Sequence, residues 1–211
     1  MMSKKETEIK LNTYEKVLLG ISLTIFILLV ILVMTNNIMW FDDAIYGVIE
    51  KLRCNTMTTI FKGITLLCET ETILILLALI LIFMKKKKVA SYIVINTGLC
   101  VLVNQIAKRI FRRARPVGIA LIEQGGFSFP SGHSMVSLAF YGYIIYLMRK
   151  SKLSKVQKNI ATIILSMIII LVGISRIYLG VHFASDVLAA YCLSTAFLVI
   201  IMYIERKKKN I

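Results

Sequence analysis

The 211-residue chain has little of what builds most sites: two histidines, two prolines, one tryptophan, four cysteines, and 11 acidic residues against 26 lysines and arginines. Each scarcity excludes something. Cys54, Cys68, Cys100 and Cys192 form no C-x-x-C pair, and with two histidines and no H-E-x-x-H or D-x-D pattern the residues offer no metal set. Cys100 and Cys192 fall in apolar runs and read as small core residues; a Cys54–Cys68 disulfide stays open. No repeat or low-complexity linker divides the chain, which reads as a single domain over 1–211. Strict alternation of apolar and polar residues is also missing, which excludes a membrane-spanning barrel.

What is present is hydrophobic length. The chain is 58% hydrophobic, its mean hydropathy is +0.80, and its apolar runs approach the length that crosses a bilayer. Backbone polar groups in lipid must be satisfied internally, so the expected fold is all-α, an integral membrane bundle of six transmembrane helices. The expected spans cover about 17–34, 70–84 (with an earlier start near Ile64 left open), 89–107, 134–148, 159–174 and 184–204. The first has a basic lead but no small-residue cleavage site after it, and reads as a retained anchor. Residues 35–70 hold Asp42, Asp43, Glu50, Lys51 and Arg53 and do not span. Trp40, Phe41 and Tyr46 suit the membrane interface, where part of this stretch is expected to lie as a helix.

A net charge of +15 invites a nucleic-acid reading, but most basic residues flank apolar runs, where anionic headgroups lie. With both termini cytoplasmic, seventeen of the 26 basic residues are inside: those of the N-terminal flank (Lys4, Lys5, Lys10, Lys16), Lys85–Lys88, Arg149–Lys158 and Arg206–Lys209. Six of the nine outside are Lys108, Arg109, Arg112, Arg113, Arg115 and Arg176, which lie in three polar clusters. Both histidines and both prolines lie there too, and this topology puts all three clusters at the external face of a multi-pass cell-membrane protein.

The first cluster is Lys108 to Pro116. If the third helix continues past the membrane, Lys108, Arg112 and Arg115 share one face and suit phosphate, with Pro116 ending the helix; a basic membrane flank is the bland alternative. The second is Pro130-Ser131-Gly132-His133. It reads as a helix start with a serine cap, free amides for an anion and a histidine for proton transfer, or else as an ordinary cap. The third is Ser175-Arg176, five residues, His182, three residues, Asp186. A carboxylate four residues on can hold one ring nitrogen and leave the other free, as a nucleophile or base requires; a capped surface histidine is the alternative. Gly180 can supply the turn.

In order, the clusters read Lys-x6-Arg-Pro, Pro-Ser-Gly-His and Ser-Arg-x5-His-x3-Asp. This resembles the three-part signature of the type 2 phosphatidic acid phosphatase superfamily at every named position, over about residues 100–190. The resemblance implies a metal-independent membrane lipid phosphatase without a cofactor. His182 would be the nucleophile that forms a phosphohistidine, Asp186 its orienting partner, and His133 the acid for the leaving lipid oxygen. Lys108, Arg115, Ser131, Gly132 and Arg176 would bind the phosphoryl oxygens. Undecaprenyl diphosphate, phosphatidylglycerol phosphate and phosphatidic acid are the implied substrates, and the implied partners are that lipid and the bilayer, with no nucleic acid. Vanadium haloperoxidases share the signature, but six spans argue against a soluble oxidoreductase. A non-catalytic lipid-phosphate binder or transporter would need the cations but neither His133 nor His182.

Overall fold

The computed structural model describes residues 10–209; Lys4 and Lys5 of the N-terminal flank lie outside the described residues. Eight helices follow one another, with no strand among the described residues: α1 (Thr13–Met34), α2 (Met39–Glu50), α3 (Asn55–Leu66), α4 (Thr70–Phe83), α5 (Lys87–Phe111), α6 (Gly132–Lys150), α7 (Lys155–Tyr178) and α8 (Ala184–Lys209). Local chemistry sets two of the starts. Asn12 with Glu15 opens α1, and Ser154 with Gln157 opens α7, each by a reciprocal capping box that satisfies otherwise orphaned amides.

Helices α1, α5, α7 and α8 are each long and apolar enough to cross a membrane. At 14 residues α4 reaches only about 21 Å, short of a core of about 30 Å. It follows α3 across a short break with a 41° bend, and the pair counts as a fifth candidate. The stretch 35–70 is therefore two helices, and its second half is continuous with the expected second span. Helix α6, the expected fourth span, does not meet the same test of apolarity. It carries Ser134 and Ser137 and buries them with Met135, Ala139, Phe140 and Tyr143 in the middle of the bundle, where helices rather than lipid surround it.

Side-chain pairs fix the helix directions. Glu15 grips Arg206 with both carboxylate oxygens, so the start of α1 lies beside the end of α8. Asn96 donates to Ala139 O, and Asn104 to Pro130 O, which sets α5 antiparallel to α6. Ser194 donates to Met135 O, and Tyr143 to Glu205, so α6 and α8 run the same way. Consequently the end of α5, the start of α6, the end of α7 and the start of α8 meet at one end of the bundle. Both described termini lie at the other. All four cysteines are free, so Cys54 and Cys68 do not pair.

Candidate active site

The site forms where those four helix ends converge. Asn96, Cys100, Asn104 and Lys108 recur at intervals of four on the inward face of α5, and the last of them reaches the site. Helix α5 stops at Phe111. Arg112 is its C-cap in the left-handed region at φ 47°, and a non-helical run follows. This corrects the expectation of a single cationic face through Arg112 to Arg115. Arg112 is exposed and turns back to donate to Arg109 O. Beyond the helix, Arg113 donates to Ser185 in the first turn of α8 and Arg115 to Val181 O in the α7–α8 connection. Pro116 is too far along to be the terminator.

In the second cluster the Phe129–Pro130 peptide is cis and α6 begins at Gly132. Ser131 is the N-cap but makes no capping bond; its hydroxyl accepts from Ser134, and its amide donates to Asp186 O. That backbone bond ties the second cluster to the third. A Cβ at Gly132 would come within 3.1 Å of Asn104 Oδ1 and meet Lys108 Cε, so glycine lets α6 start against α5.

The third cluster turns at Gly180, φ +69°, where any Cβ would lie 2.3 Å from Ile119 O. The turn delivers His182, 3% exposed, to the start of α8. Its Nδ1 lies 3.4 Å from Asp186 Oδ2, a long contact that falls short of a good hydrogen bond. Its Nε2 lies 3.1 Å from Arg115 Nη1, a donor. The partners assign the tautomer: the proton sits on Nδ1 toward the carboxylate, and the unprotonated Nε2, which accepts from Arg115, carries the lone pair available for chemistry. Burial pushes the imidazolium pKa well below its ordinary value, with Asp186 opposing that shift, so the ring is neutral at physiological pH.

The phosphate-type cations converge on one short loop. Lys108 donates to Phe127 O, Arg115 to Gly125 O and Gly126 O, and Arg176 Nη2 to Gln124 Oε1. Arg176 is fully buried; Nη1 donates to Thr65 Oγ1 at 2.6 Å, and Nε has no partner. A buried guanidinium with an unmatched donor is costly unless an anion completes it. A cavity of about 610 Å³ joins Lys108, Arg115 and the loop from Gln124 to Phe127; Arg176 lies behind Gln124 and does not line it. Lys108, Arg115, His133 and His182 line its polar end, and Ile73, Leu74, Leu77, Val101 and Val136 line an apolar limb between α4, α5 and α6.

All eight expected site residues, His182, His133, Asp186, Lys108, Arg115, Ser131, Gly132 and Arg176, thus lie at one end of the bundle. Several partners of theirs were missed in the sequence. Glu69 Oε1 stands 3.2 Å from His133 Nε2, and Cys68 Sγ donates to His133 O. Arg113 bridges Asp186 and Asp42, and Asp42 in turn accepts from Ser185. The one usable signal was Asp42 itself, an acid among apolar residues in a stretch that does not span. No three His, Cys, Asp or Glu side chains converge as a metal set among the described residues.

Residues 89–210 match the model of the PAP2 superfamily. Over 190 residues the chain is 33% identical to phosphatidylglycerophosphatase B of Bacillus subtilis (strain 168), covering 88% of this chain and 93% of that protein. It is 27% identical over 124 residues to undecaprenyl-diphosphatase of Sulfolobus acidocaldarius, 56% of each chain. The crystal structure of a transmembrane PAP2 type phosphatidylglycerolphosphate phosphatase from Bacillus subtilis superposes with a TM-score of 0.82 at 31% identity, over 90% of this chain and 96% of that one.

Proposed function

The chain belongs to the PAP2 superfamily, and from that premise we propose that it removes phosphate from a membrane lipid through a phosphohistidine at His182. The observation that carries this reading is the two-sided environment of His182: Asp186 beside Nδ1, and Arg115 beside an unprotonated Nε2 at the polar end of a cavity with an apolar limb. Nε2 attacks phosphorus while the bond to the lipid oxygen breaks, and His133 gives that oxygen its proton. Asp186 stabilises the positive charge on the phosphorylated ring. His133 then takes a proton from water, the hydroxide attacks phosphorus, the N–P bond breaks, and inorganic phosphate leaves. Lys108, Arg115 and Arg176, with the Gly132 amide and Ser131, hold the phosphoryl oxygens as charge develops. No step needs a metal.

The substrate is a phosphate monoester or diphosphate whose chain occupies the apolar limb. Phosphatidylglycerol phosphate and undecaprenyl diphosphate fit that description, as the names of the two relatives do, and phosphatidic acid shares the chemistry. The chain works as one membrane-embedded domain with six spans, α3–α4 acting as one broken span and α6 as the shielded central one. Its termini are cytoplasmic and its site external, in keeping with the excess of basic residues at the end away from the site. An external site favours undecaprenyl diphosphate.

Phosphate release from the three lipids by the purified chain tests the reading. Turnover of at least one, lost in His182→Ala and retained in EDTA, is expected. Release from none of them, or a strict requirement for a divalent ion, contradicts it.

A further inference from the structure

Arg113 stands in the first basic cluster, yet both terminal nitrogens of its guanidinium are engaged by protein acceptors. Nη1 donates to Asp186 Oδ1 at 2.6 Å and to Ser185 Oγ at 2.7 Å, and Nη2 donates to Asp42 Oδ2 at 2.7 Å. Its Cζ lies over the Phe183 ring, 4.0 Å from the centroid. Asp42 arrives from α2 with its side chain wholly enclosed and accepts from the amide and hydroxyl of Ser185, the second residue of α8. The oxygens of Asp186 are thereby divided: Oδ1 belongs to Arg113, while Oδ2 accepts from the Phe183 amide at 2.9 Å and faces His182 Nδ1.

We propose that Arg113, held by Asp42, is a positioning residue for phosphoryl transfer: it locks the Asp186 carboxylate so that Oδ2 stays facing Nδ1 of His182, placed to take up the Nδ1 proton contact as Nε2 attacks. The inference rests on the reading of His182 as nucleophile. A carboxylate gripped through one oxygen cannot swing about its terminal torsion, and a guanidinium-bound carboxylate is the weaker base, so the proton stays on the ring. Charge gives a second reason. Asp42 and Asp186 meet across the same guanidinium; without it two enclosed carboxylates would face each other, and one would take up a proton. If that were Asp186, the ring would lose its acceptor. Arg113 therefore spends its charge on the two aspartates, and Lys108, Arg115 and Arg176 are left for the phosphate.

The test uses the full chain in detergent with an aryl phosphate and a lipid phosphate. Arg113→Ala should lower kcat about 10–100-fold, the usual range for residues that orient a reacting group. KM should move less than about threefold, because no substrate contact is lost. Added methylguanidine should restore part of the loss in Arg113→Ala and nothing in wild type or His182→Ala. Arg113→Lys keeps the charge without the two-armed grip and should fall between wild type and alanine. Asp42→Asn should cost about tenfold and add little to Arg113→Ala, as expected for members of one unit. Arg112→Ala, which removes an equal charge from the exposed neighbour, should leave activity unchanged. A raised KM with unchanged kcat would make Arg113 a phosphate ligand and overturn the inference. So would a loss that methylguanidine does not restore and that tracks a lowered melting temperature in both Arg113 variants. Wild-type protein that releases no phosphate, or His182→Ala with full activity, would instead sink the proposed function.

Discussion

Two regions meet at the site and contribute in opposite ways. The segments from Lys108 to Asp186 present His133, His182 and the phosphate-type cations at spacings that can be recognised in the sequence. Helices α2 and α3 with their adjoining turns present none, yet they touch His133 and Arg176 directly and the neighbours of His182 and Asp186. Asp42 engages Arg113 and Ser185, Arg53 donates to Tyr178 O at the turn before His182, Thr65 takes one arm of Arg176, and Glu69 stands against His133. The reacting groups are set by spacing along the chain and their supports by proximity in space, and only the first of these leaves a pattern.

The largest expected effects break the comparison on the signature side. His182→Ala removes the nucleophile and should cost at least about 10³-fold in turnover, by analogy with loss of other nucleophiles. His133→Ala removes only proton transfer, typically about 10²–10⁴-fold. An aryl phosphate, whose leaving group needs little protonation, should partly rescue His133→Ala and not His182→Ala. Equal rescue of both would show the roles to be misassigned.

On the supporting side the effects should be smaller and of a different kind. Thr65→Val removes the Nη1 partner of Arg176 without touching substrate, and about tenfold is expected, since supports of site groups cost about 10–100-fold. Here the loss should fall mainly on KM, because the role proposed for Arg176 is to hold phosphate. A kcat effect with KM unchanged would move Arg176 from binding to chemistry.

The smallest effect is one of pH. Neutral His182 is the reactive form, and burial holds its imidazolium pKa well below the ordinary 6.5. The ring therefore stays neutral, and active, as pH falls through 6.5. The rate of phosphoenzyme formation should lose nothing to His182 until well below that pH, and the alkaline limb should report the proton of His133. An acid limb centred near 6.5 would show that His182 is not desolvated as described.

What could be read from the sequence divides along the same line. Helix positions outside residues 35–70 were legible because apolar length and basic flanks mark them, and α1, α5, α7 and α8 agree within a few residues. That the candidate residues gather in one place was legible, because the two histidines of so apolar a chain both lie in polar clusters and the spacing of His182 from Asp186 and Arg176 is local. Arg112 was misplaced because the helical period was carried past Phe111, where the chain leaves the helix through Arg112 in the left-handed region and brings in Arg113 instead. In the stretch 35–70 the charges marked the first half as polar but hid that α3 pairs with α4 as a candidate span, and they hid the pairing of Asp42, which meets residues more than seventy positions away, a distance no local rule covers.

The central claim, that His182 carries the phosphoryl group, is tested most directly by rapid acid-quench-free denaturation of the chain during turnover of a ³²P-labelled lipid phosphate, followed by mapping of the label. The account predicts an alkali-stable, acid-labile phosphoramidate on His182, present in wild type and His133→Ala and absent from His182→Ala. Label on another residue, or wild-type turnover with no labelled enzyme at any time, would contradict it.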